Sequence, residues 1–151
     1  MYIREATATD RPALLRLLRQ IADCAGDRYY TPDSSDEDVL AILDDCKIFV
    51  IDQDGLIIGM NAIQILDLSE HPKAPYRKMA FIMAFGIDDS ERRCDHGSAL
   101  FQHMRQYLSN EDVEYLSLNV HATNVAAQEF YKKIGLSIIS MSMSQSIKRT
   151  S

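Results

Sequence analysis

Two arginines, Arg92 and Arg93, stand a few residues before Gly97, where a continuous apolar run, Met79 to Ile87, gives way to a helical pattern. A helix start exposes backbone N–H groups and the positive end of the helix dipole, which suits anions and phosphates above all. Guanidinium groups can add charge-assisted hydrogen bonds to the same anion. A glycine lets the backbone come close to a ligand. On these residues alone the junction reads equally well as a solvated connection. Cys94 lies in it, and a thiol near a helix start can be activated. No His with an Asn or Asp partner accompanies it, so covalent catalysis is disfavoured.

A second constellation runs from Leu116 to Gly135. A strand pattern leads to Asn124 at a helix start, and a Phe130-Tyr131 pair precedes the stop at Gly135 by about one turn. The default role of Asn124 is to cap its own helix. The default role of Tyr131 is half-buried packing with a satisfied hydroxyl. His121 sits at the end of the strand pattern and is of the residue type most used for proton transfer, although a lone histidine is more often structural.

These residues need elements to hold them. Met1 to Thr7 reads as a short strand. Asp10 offers a helix-start acceptor with Pro12 in the first turn, and Leu14, Leu15, Leu17, Leu18 and Ile21 form one apolar stripe. Gly26 to Asp33 is turn-like. Ser34 and Glu37 have capping-box spacing ahead of Val39, Leu40 and Leu43. Ile48–Asp52 and Leu56–Leu66 are β-branched runs joined through Asp54-Gly55, a hairpin signal. Glu70 to Lys78, with Pro72 and Pro75, is a loop. Met79 to Ile87 is a strand buried on both faces, and a helix follows from about Gly97 to Ser109. Tyr115–His121 is the next strand, and Asn124 opens a helix ending at Gly135. Ile138 to Ile147 alternates serine with methionine or isoleucine and reads as a last strand; such an edge can pair with a second copy and give a homodimer. The order β-α-α-β-β-β-α-β-α-β describes one mixed α/β domain over residues 1–151, without repeat or linker.

Composition narrows the function. The 151 residues are 46% hydrophobic and 25% charged, as in an ordinary globular domain. A formal charge of −6 without a basic run disfavours nucleic acid as a partner. No stretch reads as a membrane span or signal peptide. Cys24, Cys46 and Cys94 show neither a disulfide framework nor a metal-ligand spacing, so no metal and a reducing, cytoplasmic setting are expected.

Taken together, the two constellations resemble the GNAT superfamily, the acetyl-CoA-dependent N-acetyltransferases. Tyr2-Ile3-Arg4-Glu5-Ala6-Thr7 with Asp10 is similar to the family's opening. Ile87 to Leu100 lines up with the coenzyme segment, whose core is Arg/Gln-x-x-Gly-x-Gly/Ala. Leu118-x-Val120-x-x-x-Asn124-x-x-Ala127-x-x-Phe130-Tyr131-x-x-x-Gly135 matches the second signature nearly position for position. One departure stands out: Asp95 occupies the place of the first glycine, where a tight turn meets phosphates and a carboxylate repels them.

The resemblance implies a mostly antiparallel central sheet flanked by helices, and transfer of acetyl from acetyl-CoA to a primary amine of a small molecule or peptide. It implies that Phe85 and Ile87 bind the pantetheine arm through their backbone. The loop Arg92, Arg93, Cys94, Asp95, His96, Gly97 and Ser98 would hold the pyrophosphate, Asn124 would reach the pantetheine, and Tyr131 would act as general acid. Phe81 to Phe85 holds no acid to serve as base; His121, Glu70, His71 or a water chain are the candidates. Tyr29, Tyr30, Tyr76, Asp27 and Asp33 are placed to select the acceptor. A domain that binds a ligand or partner without turnover is the rival reading, motivated by Asp95.

Overall fold

Asp54 and Gly55 both take positive φ, 53° and 90°, the backbone that a two-residue hairpin turn with both central residues left-handed requires. The Gly55 N–H donates to Asp52 Oδ1 at 2.8 Å and locks the turn. It joins β2 (Lys47–Gln53) to β3 (Leu56–Asp67). With β1 (Tyr2–Glu5), β4 (Lys78–Ile87) and β5 (Tyr115–Ser117) these strands form one sheet in the order β1-β2-β3-β4-β5. The first four are antiparallel and β5 runs parallel to β4. The computed structural model describes residues 2–25, 34–92 and 95–148.

Helices cover both faces. On one side α1 (Arg11–Ala25) and the short α2 (Asp36–Leu40) bury Leu14, Leu17, Leu18, Val39 and Leu40 against Val50, Met60, Ala62 and Ala84. On the other, α3 (His96–Asn110) buries Leu100, Phe101, Met104 and Leu108 against Phe49, Ile51, Ile63, Ala80 and Ile82. Tyr131 of α4 (Val125–Lys133), with Ile134 just beyond it, packs onto this second core. Truncating Phe101, which is fully buried, would cost about 3–5 kcal/mol.

Several local details differ from the sequence reading. Ser35, not Ser34, caps α2, its hydroxyl accepting from the Asp38 N–H at 3.1 Å. Asp10 sits within a 3₁₀ turn (Ala8–Asp10) that precedes α1, and its carboxylate accepts from the Thr7 N–H and from Arg4 Nη1 and Nη2. The strand expected over Tyr115–His121 ends at Ser117. The last strand expected over Ile138–Ile147 does not form: residues 136–147 have no regular secondary structure. Its serine/apolar alternation is a strand pattern that lacks a neighbour to pair with, and a strand without a ladder does not hold its backbone.

Candidate active site

The opening lies where β4 and β5 part. They pair only at Met79↔Tyr115, Ala80↔Leu116 and Phe81↔Ser117, after which β4 continues to Ile87 beside β3 alone. The register against β3 jumps between Ala62↔Ala84 and Ile63↔Ile82, leaving Met83 as an extra residue. Met83 and Ala84 both pack toward the α1 core, so this is a β-bulge, which bends its strand and increases the local twist. Beyond it, the Asp88 N–H bonds Ile58 O at 2.7 Å. Antiparallel pairs alternate between bonded and unbonded, so Gly86 and Ala84 also face β3. Phe85 and Ile87 therefore turn their backbone N–H and C=O toward the open side. Arg92 Nε lies 3.4 Å from Ile87 O, which places that carbonyl outside the sheet.

Aromatic rings line the opening. Phe85 contacts Phe101, Phe130 and Tyr131 at centroid distances of 6.1, 5.6 and 6.1 Å, and Phe130 lies 5.3 Å from Tyr131. These surroundings push the Tyr131 phenol up to about 12, because burial disfavours the phenolate. It stays protonated, and a donor, throughout the neutral range.

The start of α3 stands at the far end of β4. Asp95 precedes it with φ 57° and ψ 15°, in the left-handed region where a glycine is most at ease. Its exposed carboxylate makes no capping hydrogen bond, so the first-turn N–H groups are not satisfied by that side chain. Packing makes its own demand on Gly97. A Cβ at this residue would stand 3.2 Å from Phe130 Cε1 and Cζ, so the missing side chain admits the Phe130 ring. Arg92 is held by Asp89 at 2.6 Å, and His96 Nε2 lies 3.7 Å from Glu91. Arg93 and Cys94, and the Gly26–Asp33 turn with Asp27, Tyr29, Tyr30 and Asp33, lie outside the described residues.

Asn124 caps α4, its Oδ1 accepting the Ala127 N–H at 3.2 Å, which leaves its Nδ2 as a donor. His121 is exposed, its Nδ1 within 2.7 Å of Thr123 Oγ. Glu70 and His71 lie in the loop entering β4, at the end where β4 and β5 are joined, away from the opening. Tyr76 stacks on Tyr115 there at 4.5 Å.

One brace was not foreseen from the sequence. Asp88, buried just after β4, pairs with Arg16 of α1 and accepts from Ser90 N–H and Oγ at 3.0 and 2.8 Å. Burial alone would raise the Asp88 carboxyl, but the Ser90 and Arg16 contacts outweigh it and hold it below the ordinary carboxylate range. Arg16 also donates to Ile57 O at 2.7 Å, so α1, β3 and the end of β4 are tied at one point. No spacing in the chain announces a pair 72 residues apart. A surface groove of about 440 Å³ at the start of α1, lined by Thr9, Asp10, Arg16 and Leu56, contains none of the candidate site residues. Its charged groups are already engaged by Arg4 and Asp88.

Among the described residues no three His, Cys, Asp or Glu side chains are grouped to hold a metal ion, and no helix is long and apolar enough to cross a membrane. Residues 13–136 match the sequence model of the Acetyltransferase (GNAT) family. A comparison with curated protein sequences gives no match. Among solved structures, a tetramutant of the BH1408 protein from Bacillus halodurans superposes with TM-score 0.81 at 22% identity, over 97% of this chain and 100% of that one. A ribosomal-protein-alanine N-acetyltransferase from Brucella melitensis biovar Abortus 2308 gives TM-score 0.73 at 15% identity, over 97% and 100%. AAC(6')-Iy in complex with a bisubstrate analogue, CoA-S-monomethyl-acetylneamine, gives 0.73 at 18%, over 99% and 98%. At these identities the likeness is one of fold.

Proposed function

The chain belongs to the GNAT family of acetyltransferases, and from that premise we propose that it moves the acetyl group of acetyl-CoA onto a primary amine of a small molecule or peptide by direct attack. The observation that carries this reading is the free edge of β4. Phe85 and Ile87 offer N–H and C=O groups in strand geometry to a partner that β5, ending its pairing at Phe81, does not supply. The amide-bearing pantetheine arm of coenzyme A fits such an edge as an added strand would. The start of α3 lies beyond Ile87, where the arm's pyrophosphate end would reach the N–H groups of His96, Gly97 and Ser98. Arg92 and Arg93 would add charge at this end, with Cys94 and Asp95 completing the loop, and Asn124 Nδ2 would donate from the other wall.

In the transfer the amine nitrogen attacks the thioester carbonyl carbon, the C–S bond breaks, and the sulfur leaves as a thiolate. An N–H turned to the open side near the bulge would polarise the carbonyl. Tyr131 gives the departing sulfur its proton, the nitrogen made cationic by the attack gives up a proton to water, and the phenolate takes one back from water. With the phenol at about 12 and a free thiol near 8.5, full transfer is uphill in water. The same apolar walls raise the basicity of a thiolate and narrow that gap. The acceptor must arrive neutral, and since β4 has no acid between Phe81 and Phe85, the rate should climb with pH toward the amine's own pKa of roughly 10.

Asp95 favours a second reading, a domain that binds a ligand or protein without turnover, because a carboxylate at the residue that precedes α3 would repel phosphates there. Thiol release from acetyl-CoA in the presence of an amine panel separates the two. Amine-dependent release supports the transferase; coenzyme binding without release on any amine, including aminoglycosides, polyamines and peptide N-termini, supports the binding domain.

A further inference from the structure

Arg16 and Gln20 stand four residues apart on α1, which puts both on one line along the helix. That line runs beside the buried leucine stripe and meets the chain just after β4. Arg16 pairs with the Asp88 carboxylate, and Gln20 Oε1 accepts the Asp89 N–H at 3.0 Å. Ile21, the next residue of α1, packs on the bare backbone of Gly86, where a Cβ would collide with its Cγ1. One side of α1 therefore backs the strand end that carries Phe85 and Ile87.

The two polar contacts hold the approach to the start of α3. Asp88 caps the 3₁₀ turn Asp89–Glu91 by accepting the Ser90 N–H, and the Glu91 N–H bonds Asp88 O at 2.9 Å. A turn of three residues has few bonds of its own to fix its place. Asp89, tied at its N–H to Gln20, holds the Arg92 guanidinium with its carboxylate at 2.6 Å. Contacts thus run without a break from α1 through Asp89 to Arg92. Leu14, Leu17 and Leu18 already anchor α1 to the sheet. The Arg16 side chain is 40% exposed and Gln20 is half-buried, so these contacts add little to the fold as a whole. What they add is the place of the turn.

We propose, resting on the coenzyme reading of the β4 edge and the α3 start, that Arg16 and Gln20 are positioning residues for the phosphate end of the coenzyme. They fix the turn from Asp88 to Arg92 before the ligand arrives, so that Arg92 and the first N–H groups of α3 meet the pyrophosphate already aligned. Neither side chain touches the coenzyme. Their effect is preorganisation: a turn that had to be ordered on binding would subtract its ordering cost from the affinity.

The test uses the coenzyme and its two halves as probes. Pantetheine has the arm without the pyrophosphate, and 3′-phospho-ADP has the pyrophosphate without the arm. Gln20→Met keeps the length of the side chain and removes the acceptor; Arg16→Met removes the charge. Calorimetry should show each variant binding coenzyme A and 3′-phospho-ADP about two- to tenfold more weakly, by the same factor for both. Pantetheine, measured by displacement of coenzyme A, should bind within about twofold of wild type. In the free variants the amides of residues 89–91 should exchange faster with solvent, while those of β4 should not. Unchanged affinity for coenzyme A in folded variants overturns the proposal, as does an equal loss for pantetheine, which marks general damage. Gln20→Met decides the matter if Arg16→Met, which strands the Asp88 carboxylate, fails to fold. A wild type that binds no coenzyme A removes the coenzyme reading and this proposal together. A wild type that binds it, with variants that bind it equally well, removes this proposal alone.

Discussion

The Phe130 ring of α4 rests against Gly97 in the first turn of α3, so close that a Cβ there would stand 3.2 Å from two ring carbons. The same ring touches Phe85, whose backbone faces the open edge of β4. One glycine thus sets how nearly α3 and α4 approach, and with it the width of the opening that Tyr131 borders.

Gly97→Ala should be close to neutral, within about 1 kcal/mol, because the ring needs to give only slightly and alanine favours the helix. Gly97→Leu must displace Phe130; it should destabilise by roughly 1–3 kcal/mol and weaken coenzyme A binding well beyond that of the alanine variant. Thermal melts and calorimetry on the two variants check the order.

Asp95→Gly should improve both stability and coenzyme affinity. A non-glycine residue at φ 57° bears a conformational cost that aspartate only partly escapes, so up to about 1 kcal/mol of stability should return. Removing one carboxylate from the phosphate end should tighten coenzyme binding severalfold, since an exposed charge interaction is worth on the order of 1 kcal/mol. Asp95→Asn separates the two effects, because it removes the charge and keeps a side chain at positive φ. If neither variant binds coenzyme more tightly, the carboxylate does not face the phosphates.

Tyr131→Phe should leave the fold and coenzyme affinity nearly unchanged and lower kcat by at least tenfold, as a positioned proton donor contributes about 10²–10⁴-fold to a reaction that needs it. Turnover near wild type with a true acceptor would remove Tyr131 from the chemistry.

The same phenol predicts an alkaline weakness. Its pKa rises from an ordinary 10 to about 12 in the folded state, so the unfolded chain loses this proton first. The stabilising difference is complete below pH 10 and is lost as pH climbs toward 12, about 3 kcal/mol in all. Denaturant unfolding across that window should show the decline, and Tyr131→Phe should flatten its part of it. Asp10 acts at the other end: its hydrogen bonds from Arg4, outweighing burial, hold its carboxyl at about 2, so its contribution is present above about pH 4 and fades as pH falls through 2.

Much of this arrangement was legible in the chain. Asp54-Gly55 marked its hairpin because only a few residues accept that backbone, and Asn124 and Gly135 bracketed α4 by capping chemistry that acts within a few residues. What escaped depends on distant partners. Nothing near Met83 announces that β4 bulges, since the cause lies in its pairing with β3. Tyr115–His121 has strand composition throughout, yet ends at Ser117 because β4 turns away from it. Arg16 stands among the leucines of the α1 stripe, and nothing near it in the chain marks it as the tie to Asp88. Asn61, fully buried on β3 with both amide atoms lacking a protein partner, sits among residues that read simply as a hydrophobic strand. Gly97 was marked as special, but the neighbour that makes it so, Phe130, is 33 residues on in the chain and visible only in the fold.

The central claim is that the free edge of β4 and the start of α3 receive a coenzyme, and calorimetric titration of the purified chain with acetyl-CoA, against coenzyme A, tests it most directly. The account predicts saturable binding of both in the micromolar range, weakened by Gly97→Leu and strengthened by Asp95→Gly. No heat and no saturation at millimolar acetyl-CoA, from a chain shown to be folded, would contradict it.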